Sequence, residues 1–222
     1  MLRSEYHRDL QLVQDELLMM ASMVEKAIGR SVDALKNRDL LMAEEVIRED
    51  DIIDDKQDEI EEKCIDLIAT QQPMAGDLRV LVTVIHLASE LERMGDYAEG
   101  IAKICRMMGD EPPLKPLIDI PRMAEMASDM LRRSLDAFVK HDVDSSIEVR
   151  RDDDEIDAMY EQVYRELLTF MLGDPTVIRR ATYLLWAAHN LERIADRTTN
   201  IAENVIYMVT GERYGEVTTP AG

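Results

Sequence analysis

The chain has 222 residues and a mass of 25.4 kDa, enough for one large or two small cores, and two domains are expected. Its 46 acidic residues outweigh 26 basic ones to give a formal charge of −20, which argues against nucleic-acid backbones and anionic lipid as partners. A hydrophobic content of 46% excludes a disordered acidic tail. The low aromatic share and the abundance of Leu, Ile, Ala, Met, Glu, Asp and Arg suit long helices.

Taken in chain order, apolar residues first recur three and four apart at Leu10, Val13, Leu17, Met20, Val24, Ile28, Val32 and Leu35, the spacing of an amphipathic helix. Asn37-Arg38-Asp39 breaks it, with Asp39 placed to cap a second helix carrying Ala43, Val46, Ile53, Ile60, Cys64 and Leu67. That second helix is unusually acidic and ends at Gln71-Gln72-Pro73, since proline disfavours helical geometry before itself and lacks an N–H. A third helix is predicted from about Gly76 to Met108. Its longest uncharged run, Val80 to Ser89, is half the length a bilayer crossing needs. Together with an N-terminus unlike a secretory signal, this predicts a cytoplasmic protein.

Pro112, Pro113, Pro116 and Pro121 then place a domain boundary. The expected division is a first bundle at 1–111, a proline-rich linker at 112–121 and a second bundle at 122–222. Beyond the linker the design returns: a helix near Arg122–Lys140, a break at His141-Asp142, and a helix near Ser145–Leu172. Gly173 is then expected as a C-cap, Asp174 as an N-cap and Pro175 as the first residue of a last helix that ends near Gly211.

The second half repeats the first. Leu91-Glu92-Arg93-Met94-Gly95-Asp96 matches Leu191-Glu192-Arg193-Ile194-Ala195-Asp196, and Asp50, Asp54 and Asp58 correspond to Asp153, Asp157 and Glu161. A unit this long is a domain rather than a solenoid repeat. The fold class expected is all-α, a tandem duplication of two antiparallel three-helix bundles with six long helices.

Residues at i and i+4 share a helix face, so Glu92 with Asp96, Glu192 with Asp196, Asp50 with Asp54, and Asp153 with Asp157 each set two carboxylates side by side. Such pairs repel unless a cation lies between them. With 46 acidic residues in 222, about nine such pairs arise by chance, so one alone carries no specificity. Their recurrence at matching places in both halves is the informative feature. The candidate metal ligands are therefore Asp50, Asp54, Glu92, Asp96, Asp153, Asp157, Glu192 and Asp196, with Asp58, Glu99 and Glu161 as weaker extensions. Oxygen ligands favour Mg²⁺, Mn²⁺, Ca²⁺ or iron over structural Zn²⁺; the expected ion is Fe, Mn, Mg or Zn.

Other residues carry less. Cys64 and Cys105 form no C-x-x-C pair and read as buried small hydrophobes. Arg93 and Arg193 read as partners of nearby carboxylates, His189 as a satisfied helix histidine, and His86 and the methionines as core or interface residues. No phosphate-binding glycine loop, nucleophile elbow or H-E-x-x-H is present, so no enzyme is expected. Two rivals stand beside the metal-binding reading. One is a carboxylate-bridged di-metal enzyme, which would want Glu-x-x-His where the chain offers only the reversed His189-x-x-Glu192. The other is a metal-free acidic helical adaptor.

The duplicated Leu-Glu-Arg-x-x-Asp, the acidic helix before it and Gln72-Pro73-Met74-Ala75-Gly76-Asp77-Leu78-Arg79 together resemble the PhoU family of phosphate-signalling regulators over nearly the whole chain. The resemblance implies two tandem three-helix bundles that associate as a homodimer, with the acidic motifs as ligands of metal clusters. It also implies a negative regulator of the phosphate starvation response and phosphate uptake. Its expected partners are the ATPase subunit of a phosphate ABC transporter and a membrane sensor histidine kinase, met at the cytoplasmic face. The second half lacks a Q-P-x-x-x-D-L-R counterpart, having Gly173-Asp174-Pro175-Thr176 instead.

Overall fold

The computed structural model describes residues 2–109 and 111–217. Residues 1, 110 and 218–222, which the expected domain division includes, lie outside the described residues. Six long helices make up the fold: α1 (Leu2–Asn37), α2 (Leu40–Gln71), α3 (Ala75–Met108), α4 (Asp119–Lys140), α5 (Val143–Gly173) and α6 (Ile178–Thr210). A 3₁₀ turn at Pro175–Val177 precedes α6, and a single helical turn, α7 (Tyr214–Val217), follows it. No strand occurs among the described residues.

The breaks follow from local chemistry, and the two halves use the same device. Arg38 and His141 both adopt left-handed backbone (φ 58° and 55°), reversing the chain just before a capping aspartate. Asp39 accepts from the Met42 amide at 2.9 Å, and Asp142 accepts from the Ser145 amide at 3.1 Å; each satisfies a first-turn N–H that would otherwise lack a partner. At the α5–α6 junction the structure corrects the sequence expectation. Gly173 is the last residue of α5, and Asp174, extended at φ −147°, is the C-cap, its amide donating to the Phe170 carbonyl. The Asp174 side chain also accepts from the Thr176 amide at 2.9 Å. One aspartate thus ends one helix and starts the next, and no left-handed glycine is needed.

α1, α3, α6 and α4 pack as a closed ring of four, each against the next; α2 lies outside the α1–α3 edge and α5 outside the α4–α6 edge. The fold is accordingly two three-helix bundles, and their buried side chains form one contiguous cluster. Leu17, Met20 and Ile28 on α1 meet it from one side, and Leu87, Leu91, Met94 and Ile101 on α3 run along its length, all without exposed surface. Each side chain of this kind contributes about 1.5–3 kcal/mol by leaving water.

α3 and α6 run antiparallel in a register set by polar pairs. Glu111, just beyond α3, pairs with Arg179 at the start of α6. A Cβ on Gly100 would stand 2.7 Å from Asn190 Nδ2. Glu90 accepts from Arg197 at 3.3 Å and from Asn200 at 3.1 Å. Residues 90 and 190 are counterparts in the duplication, as are 100 and 200. The Gly100–Asn190 and Glu90–Asn200 contacts are therefore the same contact with the halves exchanged, so an approximate twofold axis passes between the two helices.

Candidate metal centre

Two acidic seams flank the ring, one between α2 and α3 and the other between α5 and α6. In the first, Asp50 sits on the inner side of α2 beside Val46 and Ile53 and is only 8% exposed. It can approach α3 because residue 95 is glycine: a Cβ there would lie 3.1 Å from Asp50 Oδ1 and 3.3 Å from Ile53 Cγ2. Asp50, Asp96 and Glu99 each present a carboxylate oxygen within 4.8 Å of the other two. Burial, joined by repulsion from Glu99, Asp54 and Asp96, pushes the Asp50 carboxyl up to about 7, with Lys103 opposing. Asp54 is raised by burial and then by Asp96, Asp51, Glu99 and Asp58. Glu92 is raised by burial and then by Asp96 and Asp54. Lys103, one turn beyond Glu99, forms an ion pair with it.

The second seam holds Asp153, Asp157, Glu192 and Asp196. Burial, followed by Asp157, Asp196 and Glu192, pushes Asp153 up to about 6, with Arg150 opposing. Asp157 is raised by burial and by Asp196 and Asp154, and Glu192 by burial and by Asp196, with His189 and Arg193 opposing. Here, as with Lys103 in the first seam, a basic side chain of the same helix reaches the acids. Arg193 Nη1 donates to Asp196 Oδ2 at 2.9 Å, and His189 Nδ1 lies 3.2 Å from Glu192 Oε2. That histidine approach lacks the alignment of a hydrogen bond: Glu192 Oε2 and Asp153 Oδ1 are both buried without a hydrogen-bond partner.

Only the first seam brings three carboxylates within reach of one cation; Asp153, Asp157, Glu192 and Asp196 form no such group among the described residues. Clustered carboxylates in a partly dry seam must take up protons, face an internal cation or bind a metal, because each further charge raises the cost of ionising the next. The first seam offers oxygen donors only. Cys64 and Cys105 lie in the core, where burial pushes the Cys64 thiol up to about 12 and Cys105 Sγ donates to the Ala34 carbonyl at 3.3 Å. The seam thus has no thiolate for a zinc site.

Among the residues singled out in the sequence, Asp50 and Asp96 meet, and Glu99, given there as an extension, completes their trio. Asp54 and Glu92 line the same seam outside the trio, and Asp58 acts on it only through Asp54. Glu161 is exposed and acts on Tyr160 rather than on the four carboxylates. Three contributors were missed. Gly95 is visible only as the Gly-to-Ala difference between the two Leu-Glu-Arg motifs, and Lys103 and Arg150 carry no motif at all. Of the core and interface alternatives for His86, the structure excludes the core, and its counterpart Trp186 is exposed as well. Trp186 is 50% exposed, and His86 is exposed in a groove of about 470 Å³ that Val82, Glu203, Asn204 and Tyr207 also line. No described helix is long and apolar enough to cross a membrane.

Comparison with known proteins finds similarity over most of the chain. The PhoU domain family model matches twice, at residues 17–105 and 120–205. The chain is 42% identical over 214 residues to the "Phosphate-specific transport system accessory protein PhoU homolog" of Clostridium acetobutylicum, covering 96% of this chain and 98% of that one. It is 41% identical to the Aquifex aeolicus protein of the same description, covering 92% of this chain and 93% of that one. Among solved structures, PhoU from Pseudomonas aeruginosa superposes with a TM-score of 0.89 at 34% identity, covering 93% of this chain and 100% of that chain. The phosphate transport system regulatory protein PhoU from Streptococcus pneumoniae gives a TM-score of 0.83 at 28% identity, covering 94% of this chain and 98% of that chain. The chain belongs to the PhoU family.

Proposed function

We propose that this member of the PhoU family is an accessory protein of a phosphate-specific transport system and a negative regulator of the phosphate starvation response and phosphate uptake. It acts at the cytoplasmic face of the membrane as a homodimeric adaptor between the ATPase subunit of the phosphate ABC transporter and a sensor histidine kinase. Residues 1–111 and 122–222 serve as its two repeats, joined through 112–121. The observation that carries this reading is end-to-end similarity to proteins named as phosphate-transport accessory proteins. Charge supports the adaptor role: α2 turns Asp51, Asp55, Glu59 and Glu62 to solvent, a face that steers toward basic surfaces. The test is capture of the transporter ATPase and the kinase from phosphate-replete membranes by the purified chain. Recovery of neither removes the adaptor role.

The acidic seams bind metal in this reading. Asp50, Asp96 and Glu99 hold an ion in the first, with Asp54 and Glu92 beside them, and Asp153, Asp157, Glu192 and Asp196 hold one in the second. A bound Mn²⁺, iron or Mg²⁺ ion supplies positive charge that offsets the carboxylate repulsion and ties α2 to α3 and α5 to α6. The trio within 4.8 Å and the two unpartnered buried oxygens of the second seam support it. Elemental analysis of chelator-free protein, beside a variant carrying Glu92→Gln, Asp96→Asn, Glu192→Gln and Asp196→Asn, tests it. A defined metal-to-chain ratio that disappears in the variant is expected. A chain empty even after reloading with Mn²⁺ or Fe²⁺ returns the seams to a docking surface.

A further inference from the structure

The two repeats differ in what α2 and α5 show to solvent toward their C-terminal ends. Where α2 carries Glu61, Glu62 and Asp66, the matching positions of α5 hold Tyr164, Arg165 and Thr169, and Trp186 on α6 replaces His86. The second half has exchanged carboxylates for aromatic, basic and neutral side chains, all of them exposed. They form one patch. Tyr160 on α5 meets His189 on α6 with ring centroids 5.9 Å apart. The two helices pack closely and are joined only by the short turn at Pro175–Val177, so they run antiparallel. Tyr164, one turn beyond Tyr160, therefore faces the turn before His189, where Trp186 lies. Trp186 in turn packs on Tyr183 at 5.8 Å. Leu168, Leu172 and Ile178, all exposed, extend the patch to the α5–α6 turn. On the order of 500 Å² of apolar side chain is left in water there, at the upper end of what a monomer shows. A stable interface takes about 800 Å² from each partner, so the patch could form most of one.

We propose that this patch on α5 and α6, with Trp186 at its centre, is the surface through which two copies of the chain associate. This rests on the homodimer of the proposed function and assigns its face. Two chains that each carry a charge of −20 repel one another, so copies associate most readily where neither brings net charge. The charges at the edge of the patch, Glu161, Arg165 and His189, are of both signs. A basic partner gains most from the acidic face of α2, where Asp51, Asp55, Glu59 and Glu62 stand, and little from a face that has shed its carboxylates. A second copy is the partner for which that loss removes repulsion. The composition agrees: homodimer interfaces are the more apolar class, and tryptophan and tyrosine carry much of the binding energy where they are covered.

Trp186 is the only tryptophan of the chain, so its emission reads the covering of the patch directly. The test is sedimentation of the full chain over a range of concentrations, with that emission recorded on the same samples. Wild type is expected as a dimer at about 50 μM, its emission to the blue of that of Tyr164→Glu, which is monomeric with Trp186 in water. Trp186→Glu and Tyr164→Glu weaken association by roughly thirtyfold or more. His86→Glu and Ile65→Glu, at matching exposed positions of the first half, change it by no more than about twofold. Raising salt from about 50 to about 500 mM tightens the dimer, because screening weakens the repulsion between the copies. A dimer that survives both Trp186→Glu and Tyr164→Glu, or one that loosens with salt, overturns this assignment alone and puts the homodimer on another face. A chain monomeric at every concentration overturns the homodimer as well. A Trp186 emission that then shifts on adding the transporter ATPase gives the patch to that partner instead.

Discussion

The two acidic seams come from one ancestral pattern and solve the same electrostatic problem differently. At the first, glycine at 95 lets Asp50 press against α3, and three carboxylates converge. At the second, alanine stands at 195 and threonine at 199, where the first repeat has Gly95 and Glu99. Thr199 turns its hydroxyl to the Asp196 carbonyl of its own helix, and Arg193 and His189 move in on the remaining acids. Both seams carry an internal cation, Lys103 on Glu99 in the first and Arg193 on Asp196 in the second, but only the first brings three carboxylates together. Differences at two positions, 95/195 and 99/199, thus separate a three-carboxylate cluster from a seam without one.

The largest effect tests whether the two halves stand or fall together. Leu91→Ala and Leu191→Ala remove counterpart side chains with no exposed surface; each is expected to cost about 2–5 kcal/mol. Because the core is one contiguous cluster, each should shift a single unfolding transition in urea rather than split it. Two separate transitions would mean that the repeats unfold independently.

Next in size is the charge asymmetry. In metal-free protein at pH 8, Asp50→Asn should stabilise by about 1–3 kcal/mol, since the native state no longer ionises a crowded carboxyl, and Asp153→Asn should stabilise by less. Chemical denaturation with chelator present measures both; a destabilising Asp50→Asn would show that the charge is already compensated. The same groups set a pH dependence. Asp50 is raised from 3.8 to about 7 and Asp153 from 3.8 to about 6. A carboxyl whose folded pKa is raised contributes stability that is complete below its unfolded pKa and lost as pH rises through the folded value. Metal-free protein should therefore lose stability from about pH 4 to about pH 7. Added Mn²⁺ should flatten the upper part of that fall. A melting temperature that rises over this range would contradict the assignment.

The smallest effect is the most specific. Gly95→Ala gives the first seam the residue of the second, at 3.1 Å from Asp50 Oδ1. It should change stability by no more than about 1 kcal/mol, because the gain in helix propensity offsets the crowding. It should nonetheless weaken Mn²⁺ binding at the first seam several-fold. Equal affinity in the variant would mean that the approach of Asp50 to α3 does not shape the site.

Much of the architecture was legible in the sequence. The three-and-four spacing gave the helices, Asp39 and Pro73 gave their limits, and the repeated Leu-Glu-Arg-x-x-Asp gave the duplication. What escaped depends on packing between segments distant in the chain. Heptad-like spacing places Glu99 on the flank of α3 but does not say that α2 brings Asp50 to it, and nothing in the neighbourhood of Gly100 indicates that α6 runs antiparallel alongside. The core alternative for His86 fails for a related reason: it falls in an apolar run, yet the turn of the helix carries it outward. The capping role of Gly173 failed because Asp174 could do that work without a left-handed residue.

The twofold relation between α3 and α6 has the geometry of an isologous interface made within one polypeptide. In a dimer of identical subunits every contact off the axis is made twice by the same two residues, so a change that improves one copy is imposed on the other. Joining the halves in one chain lifts that restriction. A glycine can face an asparagine at one end of the α3–α6 contact while a glutamate faces an asparagine and an arginine at the other. A symmetric scaffold can then house two unlike sites, because neither half is obliged to copy the other.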